Sequence, residues 1–180
     1  EQSVKKMDGN SPTILHFATH GFVAQEEGVD VMKNTGLIMA YGARKWEGKS
    51  IPLGVDDGIL TAAEIETLDL SGTDIVVLSA CNTALGDVTP EGIWGLQRAF
   101  KKAGVNTVVM SLWQVDDKAT ALFMHYLYEG FVVPMNFYTS NPLKRKEYYV
   151  QNAFRSAQFL MSQHPTYSDP YYWASFIVID

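Results

Sequence analysis

Asp74-Ile-Val-Val-Leu-Ser-Ala-Cys81-Asn-Thr83 carries the clearest architectural signal in the chain. Ile75 to Leu78 form an unbroken aliphatic run, too short for a helix and without polar alternation, the pattern of a strand buried on both faces. Strands of that kind belong to parallel sheets covered by helices on either side. The next signals agree. Thr89 as N-cap with Pro90 at the first helical position opens a helix over Gly92–Ala103, Gly104 closes it, and Thr107–Ser111 is strand-like again. Similar β-rich runs stand at Thr13–Ala18, Gly36–Ala40 and Phe176–Ile179. Thr61-Ala-Ala-Glu64 is a capping box ahead of Ile65 and Leu68. Asp116 or Asp117 can cap Lys118–Glu129, whose stripe of Leu122, Tyr126, Phe123 and Leu127 ends at Gly130. A last helix is expected over Tyr148–Gln163 with Phe154, Ala157 and Leu160 inward. Strands alternating with helices predict an α/β fold, an open and mostly parallel sheet with helices on both faces.

The chain of 180 residues with 47% apolar composition is one domain's length and can bury a core unaided. Residues 1–12 are polar and read as a linker or frayed lead-in, leaving 13–180 as a single domain. Within it, Phe131–Tyr149 holds Pro134, Pro142, five aromatics and Lys144-Arg145-Lys146, and reads as a long excursion between two helices. The net charge of −6 has the wrong sign for gripping phosphate backbones, so nucleic acid is disfavoured as a partner. A single cysteine excludes an internal disulfide and a thiolate zinc cage, which fits a reducing, cytoplasmic setting without a metal. No apolar run approaches the roughly 20 residues of a membrane span, so a soluble protein with no membrane partner is expected. The chain starts at Glu1 and reads as a piece of a longer protein.

Gly42-Ala-Arg-Lys-Trp-Glu-Gly48-Lys49-Ser50 superficially suggests a phosphate-binding loop. It has five residues between the glycines where a P-loop has four, and Pro52 stands where the phosphate-holding helix has to begin. A polar turn is the better reading.

Chemistry concentrates at two strand ends. Leu15-His16-Phe17-Ala18-Thr19-His20-Gly21 places an imidazole and then a glycine just past one strand, and the only cysteine, Cys81, follows another. In an open parallel sheet the carboxyl ends of the strands line the crevice where ligands bind. A thiol with a pKa near 8.5 is only a few per cent ionised at neutral pH, so it needs a neighbouring base to become a nucleophile. His20 can be that base. Gly21 lets a backbone N–H approach a substrate oxygen, and with the N–H of Cys81 it completes an oxyanion hole. Taken singly, a buried cysteine is usually inert and a strand-end histidine merely hydrogen-bonded. Their joint placement beside Gly21 favours a Cys–His acyl-transfer site. His16 lies inside the strand and is assigned to packing or support, while His125 and His164 fall on helical patterns and look structural.

These residues resemble the CHAT domain, a caspase-like cysteine protease family related to separase and often fused to tetratricopeptide repeats. The resemblance rests on His-Phe-Ala-Thr-His20-Gly21-Phe, Gly36-Leu-Ile-Met-Ala40, Asp57-Gly-Ile-Leu-Thr-Ala-Ala-Glu64-Ile65, Leu78-Ser-Ala-Cys81-Asn-Thr, Gly95-Leu-Gln-Arg-Ala-Phe100, Ser111-Leu-Trp113-Gln-Val-Asp116-Asp117 and Tyr172-Trp173-Ala-Ser-Phe, in that order. It implies a caspase-like three-layer sandwich and a cysteine endopeptidase with no cofactor. His20 is then base and acid, Cys81 the nucleophile, and the Gly21 and Cys81 amides the oxyanion donors. It further implies that Trp113, Asp116 and Asp117 border the pocket for the substrate side chain preceding the cut. An aspartate pointing into that pocket favours a basic residue there; an aspartate opening a helix is equally an ordinary cap. The expected partners are a protein or peptide substrate and an upstream tetratricopeptide region or regulatory protein. A bacterial defence or signalling role is implied as well, and the excursion at about 131–149 departs from the family's usual shorter loop. Two alternatives stay open: a catalytically silent interaction module on the same fold, and acyl transfer on a small molecule.

Overall fold

Apolar runs that cannot satisfy themselves as helices pair with one another, and the computed structural model of the chain shows how. It describes residues 1–23, 30–79, 90–132 and 145–180, which divide into two compact units, Glu1–Trp113 and Gln114–Asp180. The first unit runs α1 (Gln2–Lys5), β1 (Ile14–Phe17), β2 (His20–Val23), α2 (Val31–Asn34), β3 (Thr35–Ile38), α3 (Gly42–Trp46), β4 (Ile59–Thr61), α4 (Ala62–Ile65), β5 (Ile75–Leu78), α5 (Pro90–Lys102) and β6 (Thr107–Ser111). The second holds α6 (Asp117–Val132), α7 (Arg145–Ser162), a 3-10 turn at Pro170–Tyr172 and β7 (Phe176–Ile179). The expected α/β architecture with a mostly parallel sheet is present.

β5 lies between β1 and β6, parallel to both, with Ile14 opposite Ile75 and Ile75 opposite Thr107. Every residue of β5 and β6 is buried, the behaviour expected of strands covered on both faces. On α5, Leu96, Ala99, Phe100 and Ala103 fall on one helical stripe and are all buried. The Phe100 ring packs on Phe17 of β1 at 5.6 Å between centroids. Gly104 ends the helix at φ +97°, as expected of it.

Two strands that the sequence pattern did not announce complete the unit. β2, β3 and β4 form a separate antiparallel sheet with His20 opposite Ile38 and Gly36 opposite Thr61. Its β3–β4 connection closes tightly. Gly58 holds φ +79°, and a Cβ there would stand 2.2 Å from the Gly42 nitrogen, so only glycine fits. The Gly42–Ser50 stretch forms α3 ahead of Gly48, and no helix begins at Lys49–Ser50, the next being α4 at Ala62, so a phosphate-binding arrangement is absent there.

The first residues are ordered. α1 buries Val4, and Lys5 Nζ lies 2.6 Å from Glu1, 2.9 Å from Glu64 and 3.6 Å from Asp56. Glu1 accepts a hydrogen bond from the Gly58 N–H at 2.7 Å. A local run of polar residues gave no sign of Asp56, Gly58 and Glu64, which lie more than 50 positions away.

In the second unit, α6 and α7 pack along Phe123, Leu127, Ala153, Phe154, Ala157 and Met161. Phe123 stacks on Phe176 of β7 at 4.3 Å. Gly130 does not end α6. A Cβ there would stand 2.7 Å from the Ala153 Cβ, so the glycine marks where the two helices touch and not a terminus. Leu160 is 38% exposed while Met161 is fully buried, so the inward row continues from Ala157 by four residues and not three. The stretch expected as an excursion contributes helix at both ends, through Val132 and from Arg145. Phe131 packs on Tyr128 and Tyr149 at 5.5 and 5.2 Å, so part of its aromatic content builds the helix pair. Residues 133–144, including Pro134, Pro142 and Lys144, lie outside the described residues.

Candidate active site

His20 lies three residues beyond the end of β1, where the chain crosses from the parallel sheet into the antiparallel one. Its side chain is exposed and Gly21 behind it is buried opposite Leu37. The preceding residue fixes the crossing: the Thr19 hydroxyl donates to the Ile38 carbonyl, and Ile38 is the residue paired with His20. The imidazole is thus presented to solvent from a strand whose other residues are committed to the sheet. That is what a general base at a crevice requires: a fixed root and an accessible ring.

Cys81, expected to follow the end of β5, lies outside the described residues, as do Asn82 and Thr83. The described chain before them ends at Ser79. Ser79 directly follows β5, and its Oγ is 2.9 Å from His16 Nε2 and 3.4 Å from the Phe17 carbonyl. The Ser79 hydroxyl donates to Phe17, which leaves an oxygen lone pair to accept from His16 Nε2–H. Partial burial pushes the His16 imidazole below its ordinary pKa, which keeps the ring neutral at neutral pH. Sequence reasoning gave His16 a supporting place and missed Ser79. The signal lay in the register, because Ser79 shares a face with Val77, the residue opposite His16.

The third group of expected residues divides by role. Trp113 follows β6, is 38% exposed, and its carbonyl accepts from the Ser111 hydroxyl at 3.0 Å. Asp116 is the N-cap of α6, its Oδ1 accepting from the Lys118 and Ala119 N–H groups, both at 3.0 Å. Asp117 begins the helix and is exposed. Capping therefore belongs to Asp116. His125 pairs with Glu129 on the surface of α6 and His164 Nδ1 accepts from the Thr166 and Tyr167 amides, so both have local roles. Among the described residues no three His, Cys, Asp or Glu side chains are grouped to hold a metal ion, and no helix is long and apolar enough to cross a membrane.

A family model described as the CHAT domain matches residues 1–180. Tetratricopeptide repeat protein 28 of Mus musculus is 33% identical over 121 residues, which is 67% of this chain and 4% of that protein. Its counterpart in Homo sapiens is 31% identical over 121 residues, with the same shares. The chain thus spans a small fraction of these relatives. They are mammalian, where the resemblance of the sequence had implied a bacterial setting.

Proposed function

The chain belongs to the CHAT domain family, a caspase-like, protease-related domain, and we propose that it is a cysteine endopeptidase acting through Cys81 and His20. The observation that carries this reading is His20: an exposed imidazole on a fixed strand root, with Gly21 next to it, in a chain that matches the family from end to end. His20 takes the Cys81 proton, and the thiolate attacks the scissile carbonyl carbon to form a C–S bond. The Gly21 and Cys81 N–H groups hold the resulting oxyanion. The C–N bond then breaks as His20 returns the proton to the leaving amine. Water, deprotonated by His20, hydrolyses the thioester and releases the carboxylate and the thiol.

Of the two aspartates, Asp117 is the one proposed for substrate recognition, since the carboxylate of Asp116 already serves the helix. A basic side chain before the cut is the preference this predicts. The naming of the relatives for tetratricopeptide repeats supports an upstream repeat region, or a partner carrying one, as the regulator.

Iodoacetamide provides the test. Cys81 is expected to alkylate at neutral pH much faster than a thiol of ordinary pKa, and His20→Ala to slow it. On peptides, the same substitution should lower cleavage by about 10²–10⁴-fold. Ordinary alkylation that ignores His20→Ala, together with no cleavage, leaves a silent interaction module instead. In a panel with Arg, Lys, Asp or Leu before the cut, equal or better cleavage after Leu or Asp removes the basic preference without touching the dyad.

A further inference from the structure

We infer that His16 is a positioning residue, which through Ser79 braces the two chain segments leading to His20 and Cys81. The inference deepens the endopeptidase reading and rests on it for its catalytic consequence.

The β1–β5 ladder ends with Phe17 opposite Leu78, and beyond that pair the strands have no further partners in register. From there one chain needs three residues to reach His20 and the other needs three to reach Cys81. Small changes in the angle at which the strands part are magnified over those residues. A side-chain tie placed at the parting point limits this. Ser79 supplies it, bonded at once to the last carbonyl of β1 at 3.4 Å and to the His16 ring at 2.9 Å. Pleating explains why these residues meet: Ile75, Val77 and Ser79 share one face, and His16, opposite Val77, is the diagonal neighbour of Ser79. On the His20 side, the hydrogen bond from Thr19 to Ile38 is the matching restraint. His16 is thus the only imidazole in the first unit besides His20, and its described bond is spent on geometry rather than on substrate.

The role uses the ring as an N–H donor at the Nε2 position. Glutamine can supply a donor on a side chain of similar reach; leucine cannot. Hydrogen exchange and Cys81 alkylation should be measured on the wild type, His16→Leu, His16→Gln, Ser79→Ala and the double variant His16→Leu/Ser79→Ala. In His16→Leu and Ser79→Ala, amides of residues 18–21 and 79–83 should exchange roughly 3–10-fold faster, the yield of one lost hydrogen bond. The amides of Val76 and Val108 should be unchanged. His16→Gln should recover most of the loss, and the double variant should exceed neither single by much, because both remove the same tie. Alkylation of Cys81 should slow in His16→Leu and recover in His16→Gln. Unchanged exchange at both segments in His16→Leu and Ser79→Ala, or additive losses in the double variant, overturns the brace even if Cys81 proves reactive. A Cys81 that alkylates ordinarily and ignores His20→Ala defeats the dyad instead, and the brace is then decided by the exchange data alone.

Discussion

In the parallel sheet of the first unit every residue of β5 and β6 is buried, and Phe100 closes over Phe17; in the antiparallel sheet His20 faces solvent and β4 keeps only Leu60 fully covered. The first is held by side-chain volume. The second also buries Phe22, Leu37 and Leu60, and adds a close backbone approach at Gly58 and polar groups gathered around Lys5. The difference matters because the two sheets supply opposite halves of the proposed dyad. β5, which ends three residues before Cys81 in the sequence, lies in a packed core, whereas His20 stands on a sheet held partly by hydrogen bonds and ion pairs. Apolar burial is insensitive to pH and salt, and polar ties are not. The sheet bearing His20 is therefore expected to be the more sensitive of the two to pH and salt.

Truncating the packed side should have the largest effect. Phe100→Ala removes a fully buried ring from between α5 and β1 and should cost about 3–5 kcal/mol, measured by denaturant unfolding. Because β1 leads to His20 and carries the His16 ring and Phe17 carbonyl that bond Ser79, the loss should appear as cooperative unfolding of the whole first unit. A loss below about 1 kcal/mol would show that burial is not what sets this sheet apart.

Gly58→Ala should rank next. The left-handed backbone costs an alanine of order 1–3 kcal/mol, and the new Cβ meets backbone atoms that cannot rotate away. The expected signature is local: amides of β3 and β4 lose protection against exchange while Val76 and Val108 keep theirs. Equal loss in both sheets would erase the distinction drawn between them.

These two substitutions also mark what the sequence made legible. The strands at Ile75–Leu78 and Thr107–Ser111 announce themselves, since a short run of four or three consecutive apolar residues, rich in β-branched side chains, leaves few other structures. β2 and β4 do not. His20-Gly-Phe-Val23 and Ile59-Leu-Thr61 are short, mixed in polarity and held by pairing with β3, a partner that no local pattern reveals. The order of α1 was hidden for the same reason, because Glu1 and Lys5 find their partners at Gly58 and Glu64. At the site, His20 and Gly21 were placed past β1 by strand length alone. The choice between Asp116 and Asp117 as helix cap needed coordinates, since either can accept from the first-turn amides. Ser79 was invisible until the β1–β5 register put it beside His16.

The smallest effect should come from the polar side, at Glu64. Burial raises its pKa, but hydrogen bonds from Lys5 and from the Thr61 N–H and hydroxyl outweigh this and hold the carboxyl below its ordinary value. Lys5, raised by its bonds to Glu1 and Glu64, stays a cation throughout the acid range. A carboxyl depressed in the folded state contributes stability that is complete above its unfolded pKa, near 4.3, and is lost as pH falls through the lower folded value. Glu64→Gln removes the charge at all pH values while keeping one acceptor for Thr61. At neutral pH it should cost at most about 1 kcal/mol, because the group closes a capping box but is partly solvent-screened. On acidification the wild-type advantage over Glu64→Gln should shrink and vanish below the folded pKa, and about 1 M salt should reduce it at neutral pH. Phe100→Ala should show no such convergence with wild type over that range. An advantage for Glu64 that is indifferent to both pH and salt would mean that its side chain acts by packing, and that the antiparallel sheet is held by the same forces as the parallel one.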